Sequence, residues 1–380
     1  MLTLQKSRCD GVPFRARRSM AAAAVGDSLY FFAGVGANTL SESILDVSND
    51  LWRWSTVDER WTAIEIQESW PEARRCCGWL QHQGALRLWG GSGITQDSEG
   101  KTRYTFLNDD WSFDVEHSAW VCNRASDDHR QTPFDGGSDS PFPRYTPVLQ
   151  SAQERLFLFG GYTEDRLGKR KLNDAWLQVD GRWRPVIQQG RAGYDLDATW
   201  PGVRYGSMST SDGTFIYVCG GFSDDGDHID LWRFDVRSAR WEPICGDATN
   251  GDATSSNEAT CNRPQPRYCA AFAWHDNRLF LFGGRSRKQS KLNFNDLWCF
   301  DLASRTWQEI YPQSDEHRYD ESAVMPGYHA KSAHVALGDH WYLWGGEGRT
   351  GHVSDFWSLS FADLRWRMIQ PARADDPSFW

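Results

Sequence analysis

Six times in this 380-residue chain an aspartate stands two residues before a tryptophan: Asp50 and Trp52, Asp109 and Trp111, Asp174 and Trp176, Asp230 and Trp232, Asp296 and Trp298, Asp355 and Trp357. Each pair follows a glycine landmark, namely Gly34-Val35-Gly36, Gly90-Gly91, Gly160-Gly161, Gly220-Gly221, Gly283-Gly284 and Gly345-Gly346, spaced 56, 70, 60, 63 and 62 residues apart. A second tryptophan lies nine residues beyond the first in five repeats (Trp61, Trp120, Trp241, Trp307, Trp366) and seven beyond it in the third (Trp183). One structural unit is written six times. A period this long with strand-like segments inside it predicts a propeller blade and not a solenoid turn.

Before each landmark runs a short apolar or aromatic stretch, such as Leu156 to Phe159 or Leu279 to Phe282. Runs of this kind bounded by glycine read as buried strands. Nine residues between tryptophans span two short strands and the turn joining them. The contraction by two at Asp180-Gly181 predicts a primed hairpin turn, and it keeps the second tryptophan on the same sheet face because strand periodicity is two. Each repeat therefore predicts four strands: an inner one, one ending at the glycines, the Asp-x-Trp strand, and an outer one carrying the second tryptophan.

These residues resemble the kelch repeat over roughly residues 14 to 370: a Gly-Gly after an apolar strand, Asn49-Asp50-Leu51-Trp52, a following Phe-Asp as at Phe234-Asp235 and Phe300-Asp301, and the spaced second tryptophan. The resemblance implies an all-β, six-bladed β-propeller of four-stranded kelch blades. The chain reads as a single propeller with blades at about 14–69, 70–139, 140–199, 200–262, 263–324 and 325–370 and a tail at 371–380. Kelch proteins often act as substrate receptors or adaptors, and ligase adaptors of this type usually carry an F-box or BTB domain, for which this chain has no spare residues. Ring closure is open at this level, since residues 365–369 already supply an outer strand for the last blade and either Leu2 to Leu4 or the tail could add to an edge.

Composition restricts the function classes. The formal charge is −10 and no run of Lys or Arg looks like an electrostatic footprint, which argues against a general nucleic-acid or membrane-surface role. Nine scattered cysteines without a Cys-x-x-Cys pair predict reduced, mostly buried thiols and a cytoplasmic location. No stretch reaches the length of a membrane span, and no nucleophile elbow, phosphate loop or Ser-His-Asp order is present.

Sixteen residues before each landmark stand Arg18, Arg74, Arg144, Arg204, Arg267 and, in the sixth repeat, His329. Equivalent propeller positions form a ring about the axis, so these groups are expected at the channel mouth. The connections that vary in length, after the glycines and between blades, fall on that same face, where a rigid scaffold displays binding loops. An arginine ring in an acidic protein suits bidentate capture of an anionic ligand, an acidic peptide or a terminal carboxylate. The alternative is that these arginines pair with neighbouring blades or loop carbonyls. Tyr145, Tyr205 and Tyr268, each following one of the arginines, are expected to pack between blades, away from the channel. The six repeated aspartates are expected to accept backbone N–H groups at the start of the third strand.

The alternative to a protein-binding module is a small-molecule lyase or isomerase. Asp224 and His228, in the loop after the fourth glycine pair, match two members of the Glu-Asp-His iron site of the plant specifier proteins, which are kelch propellers. Gly220 stands where the glutamate belongs, so iron is an alternative only and no cofactor is expected. The acidic clusters Asp127-Asp128-His129 and Asp315-Glu316-His317 with Asp320 and Glu321 read as solvated loop, and the Gly-Asp-Ala-Thr echo at 246–249 and 251–254 as a flexible excursion.

Overall fold

Each apolar run becomes the second strand of a four-stranded antiparallel sheet: the tight hairpin before it makes the inner strand its direct neighbour, and the third strand returns to its other edge after the connection that follows the glycines. In the first blade the strands are Ala21–Val25, Ser28–Phe32, Leu51–Ser55 and Arg60–Ala63; in the fourth, Met208–Ser211, Phe215–Phe222, Asp227–Asp235 and Arg240–Cys245. All six four-stranded sheets keep their strands in chain order; in the first blade the short strands Val35–Ala37 and Leu45–Val47 intervene and pair with Arg17–Arg18 in a small sheet of their own. The computed structural model describes residues 15–37, 45–65, 69–96, 99, 101–127, 140–165, 168–188, 191–192, 199–246, 262–287, 293–314, 324–349 and 351–372, and these contain strands and turns but no helix. The cluster 315–321, Asp128, His129, most of the Gly-Asp-Ala-Thr echo, Leu2 to Leu4 and the end of the tail lie outside the described residues.

Each first strand touches the first strands of the two adjoining blades, around a closed circle of six, so they line the axis. The circle is tied by the backbone. Ser19 N donates to Lys331 O at 2.8 Å, Cys76 N to Ser19 O at 3.1 Å, Thr146 N to Cys76 O at 2.8 Å, Cys269 N to Gly206 O at 2.7 Å and Lys331 N to Cys269 O at 2.9 Å. All six of these blade-entry residues hold φ between 51° and 66°, which turns each N–H out of its own sheet toward the preceding blade.

The third-repeat contraction is a primed turn: Asp180 and Gly181 have φ of 50° and 73° between paired Val179 and Arg182. The second tryptophans are 5 to 8% exposed. Each packs into the cluster formed with the preceding blade, as Trp241 does against Phe157 and Phe159 at ring distances of 5.7 and 4.9 Å. Six such clusters, one between each pair of blades, form the core. Replacing Trp241 by Ala is expected to cost about 3–5 kcal/mol, the range for deleting a large buried aromatic, measured by chemical denaturation.

Closure uses no exchanged strand among the described residues. The sixth blade (Ala333–Leu337, His340–Glu347, His352–Ser360, Trp366–Gln370) meets the first through packing and a few polar ties. Phe31, Trp54 and Trp61 pack on Trp344 and Phe356, and Trp61 Nε1 donates to Gln370 Oε1 at 2.8 Å.

Candidate functional site

The three sequence landmarks of a blade meet in one buried cluster. In blade 2 the Arg74 guanidinium lies 2.6 and 2.7 Å from the two carboxylate oxygens of Asp109, donates to Gly90 O at 3.0 Å, and through Nε to Glu72 O at 2.9 Å. Trp111 Nε1 donates to the same carboxylate at 2.8 Å. Arg144 with Asp174, Arg204 with Asp230 and Arg267 with Asp296 repeat this arrangement, each with the first glycine carbonyl and the tryptophan two residues beyond the aspartate. The Asp-x-Trp spacing thus has a side-chain cause. On a strand, residues i and i+2 share a face, so the indole reaches back to the carboxylate.

This corrects two expectations. The aspartates take guanidinium and indole donors, not backbone N–H groups. Arg74, Arg144, Arg204 and Arg267 are at most 3% exposed, and four of each guanidinium's five N–H groups are spent inside the blade. They hold the third strand against the blade entry and offer no open face to a ligand. His329 is likewise buried, with Nδ1 2.9 Å from Gly345 O and Nε2 3.0 Å from Asp355.

Arg18 needs a different correction. In blade 1 the clamp is made by Arg17, 2.5 Å from Asp50. The landmark there is not Gly34-Val35-Gly36 but Ala33-Gly34, whose φ values of 66° and 104° match the 59° and 107° of Gly90 and Gly91. The first position normally demands glycine: at Gly283 an added Cβ would lie 2.3 Å from His329 O. Ala33 tolerates the left-handed conformation at a cost of about 1–2 kcal/mol, and counting from Gly34 displaces the ring position by one.

Because alternate strand residues face opposite ways, the residue after each clamp group turns to the mouth. These are Arg18, Arg75, Tyr145, Tyr205, Tyr268 and Ala330, paired across the sheet with Val35, Ser92, Tyr162, Phe222, Arg285 and Glu347. Tyrosines of successive blades touch around the axis, Tyr145 to Tyr205 at 6.1 Å and Tyr205 to Tyr268 at 6.0 Å. They pack against one another between blades, as expected, with Tyr205 and Tyr268 only 7% and 3% exposed, but on the mouth side of the alternation that buries the arginines. Burial raises the pKa of Tyr145 and Tyr205 further above the ordinary phenol value, so both remain neutral donors.

The mouth is divided chemically. Blades 3 to 5 give an aromatic wall, while blades 5, 6, 1 and 2 give Arg285, Arg287, Lys331, Arg18 and Arg75. Glu347 is the one carboxylate ion-paired with any of these five among the described residues. Burial alone would raise its pKa, but Lys331, Arg18 and Arg285 hold it down at about 2. Arg75 has no carboxylate partner among the described residues; its guanidinium lies over the Tyr104 and Tyr145 rings at 5.1 and 5.7 Å. Arg287 lies over Phe222 at 4.5 Å, near the Tyr268 hydroxyl. Five cations with one ion-paired carboxylate between them thus sit together in a chain of net charge −10.

Asp224 and His228 are drawn to different partners, Asp224 to Lys171 of blade 3 and His228 Nε2 to Ser223 Oγ at 2.7 Å. Among the described residues no group of three His, Cys, Asp or Glu stands close enough to hold a metal ion. The seven described cysteines are free thiols; Cys219 and Cys299 are buried and Cys122 is exposed.

Residues 248–378 match the family model described as the KLHDC2/KLHL20/DRC7 Kelch-repeats domain. The chain is similar to the Leucine-zipper-like transcriptional regulator 1 homolog of Drosophila melanogaster, 25% identical over 324 residues that cover 84% of this chain and 28% of that protein. It is 23% identical to human Kelch domain-containing protein 3 over 320 residues, 80% of this chain and 72% of that one. With human Kelch domain-containing protein 10 it shares 21% identity over 248 residues, 64% of this chain and 50% of that protein. The chain therefore spans less than a third of the first of these relatives and half of the last.

Proposed function

The chain is a kelch-repeat β-propeller, and from that premise we propose that it is a protein-binding scaffold whose channel mouth receives an anionic group of its partner, an acidic peptide segment or a terminal carboxylate. The observation that carries this reading is the pair Arg75 and Arg287, two guanidinium groups held against aromatic rings with no carboxylate ion-paired to either among the described residues. Guanidinium groups fixed by stacking lose little freedom on binding and present a planar fork that matches a carboxylate. Both flank the tyrosine wall, Arg75 beside Tyr145 and Arg287 beside Tyr268. The half-buried rings beside them, Tyr145, Tyr162 and Phe222, then offer the peptide flanking the anionic group aromatic surface at small entropic cost.

The experiment is a panel of synthetic peptides, acidic, neutral, and with free or amidated C termini, titrated into the wild type and into an Arg75→Ala/Arg287→Ala variant. The double variant is expected to lose at least about tenfold in affinity, since a charge-assisted hydrogen bond contributes about 1.5–3 kcal/mol. Its melting temperature is expected to stay near that of the wild type, because neither group anchors a blade. Equal binding by the two proteins would sink the reading.

A further inference from the structure

Three of the five cations at the mouth converge on a single side chain. Glu347 Oε1 accepts from Arg285 Nη1 at 2.8 Å, and its Oε2 accepts from Arg18 Nη1 at 3.0 Å and Lys331 Nζ at 2.9 Å. The donors come from blades 5, 1 and 6. The carboxylate is placed by its own backbone, which bonds to Ala330 in both directions at 3.1 and 2.7 Å, and its carbonyl also accepts from Asn293 Nδ2 at 3.2 Å. The side chain is 22% exposed, and the Nε groups of Arg18 and Arg285 are buried with no acceptor. Three cations around one carboxylate leave two uncompensated charges.

We propose that Glu347 is a built-in occupant of an anion site, a carboxylate of this chain that fills the place a ligand anion would take and withholds Arg18, Arg285 and Lys331 from the partner. The inference rests on the reading of the mouth as an anion-receiving surface and adds a determinant of selectivity to it. With Glu347 in place, a partner's anionic group meets Arg75 and Arg287 only. A singly charged carboxylate is satisfied by that pair, whereas a polyanion would need the captive cations as well. An ordinary seam salt bridge would need one cation. The convergence of three on one carboxylate is what suits the place to an anion.

Two variants test this. Glu347→Gln keeps the shape and the acceptor oxygen but removes the charge, and inorganic pyrophosphate serves as the polyanionic probe by calorimetric titration. The variant is expected to bind pyrophosphate at least about tenfold tighter than the wild type, with a steeper loss on adding salt. Glu347→Ala vacates a carboxylate-sized place, and formate is expected to raise its melting temperature well beyond any rise seen for the wild type, because an anion that binds only the folded state stabilises it. No gain for pyrophosphate in a folded Glu347→Gln protein, or no formate rescue of Glu347→Ala, overturns the proposal. Neither arm uses a peptide, so this failure is distinguishable from failure of the Arg75/Arg287 test.

Discussion

Asp174→Ala is expected to destabilise the propeller by about 3–5 kcal/mol, the cost of removing one partner from a buried ion pair. The substitution strands the Arg144 guanidinium, which is fully buried, and it removes the acceptor of Trp176 Nε1 at 2.7 Å. Left without its counter-ion, Arg144 keeps the carbonyls of Gly160 and Phe142 and the Trp89 ring at 5.9 Å, none of them a charge, so its own remains largely uncompensated. Replacing both members, Arg144→Met with Asp174→Leu, is expected to recover much of the loss, since a buried pair of this kind contributes little net stability once desolvation is counted. The comparison that decides the matter is Asp50→Ala. Its pair with Arg17 is partly open, with side chains 33% and 14% exposed, and solvent screens it. Urea denaturation should give a markedly smaller loss there. Equal losses at the two positions would mean that the cost comes from the indole bond common to both and not from stranding a buried charge.

This clamp bears on how far the sequence could be read. Six copies of Asp-x-Trp, six glycine landmarks and six arginine or histidine positions were visible as a pattern, and so was the strand count, because strand period and turn chemistry are local properties of the chain. That the three landmarks are members of one cluster was not visible, since Arg74 and Asp109 are 35 residues apart and nothing in the local pattern joins them. The sign of the alternation was the costly ambiguity. A strand residue and its successor face opposite ways, and the fact that one faces the mouth does not say which. Placing the arginines at the mouth went with packing the tyrosines between blades; the structure buries the arginines inside the blades, while the tyrosines do pack against those of the adjoining blades. A usable signal was present: an aspartate recurring in all six blades of an acidic chain beside a recurring arginine is what an internal pair requires. Arg18 shows a separate limit. Gly-Val-Gly attracts the eye as a degenerate glycine pair, yet Ala33 with φ of 66° is the true first member, and backbone conformation at an alanine leaves no trace in composition. Glu347 was invisible for a further reason, that its partners Arg18, Arg285 and Lys331 come from three blades across the junction of the chain's two ends.

That junction carries the second large prediction: the wild-type protein is expected to lose stability as pH rises above neutrality, and His329→Arg to abolish most of that loss. His329 occupies the place that arginine fills in the other blades, and both of its ring nitrogens face acceptors, the Gly345 carbonyl and the Asp355 carboxylate. Two acceptors require two N–H groups, so the folded state holds the imidazolium. Burial alone would lower the pKa, but Asp355, supported by the Gly345 carbonyl, carries it above the ordinary histidine value. Asp355 is the charged group facing the imidazole; its other near neighbours are Ser332 Oγ at 3.3 Å and the Phe282 ring at 6.3 Å. A group whose folded pKa is raised contributes stability that is full below its unfolded pKa, near 6.5, and is lost as pH climbs through the folded one. Deprotonation leaves one ring nitrogen lone pair against an acceptor and Asp355 without a cation. The carboxylate is already under-satisfied, because Asp355 Oδ1 has no donor, while the corresponding oxygen of Asp109 lies 2.6 Å from Arg74 Nη1. Arginine at 329 supplies that donor and a charge that does not titrate. Thermal melts from pH 6 to pH 9 should show a falling melting temperature for the wild type and a higher, nearly level one for His329→Arg. Parallel profiles would place the alkaline sensitivity elsewhere. Since no strand is exchanged across the junction of blades 6 and 1 among the described residues, weakening the clamp at His329 is expected to loosen that interface first, which amide exchange read along residues 333–347 at the two pH values would reveal.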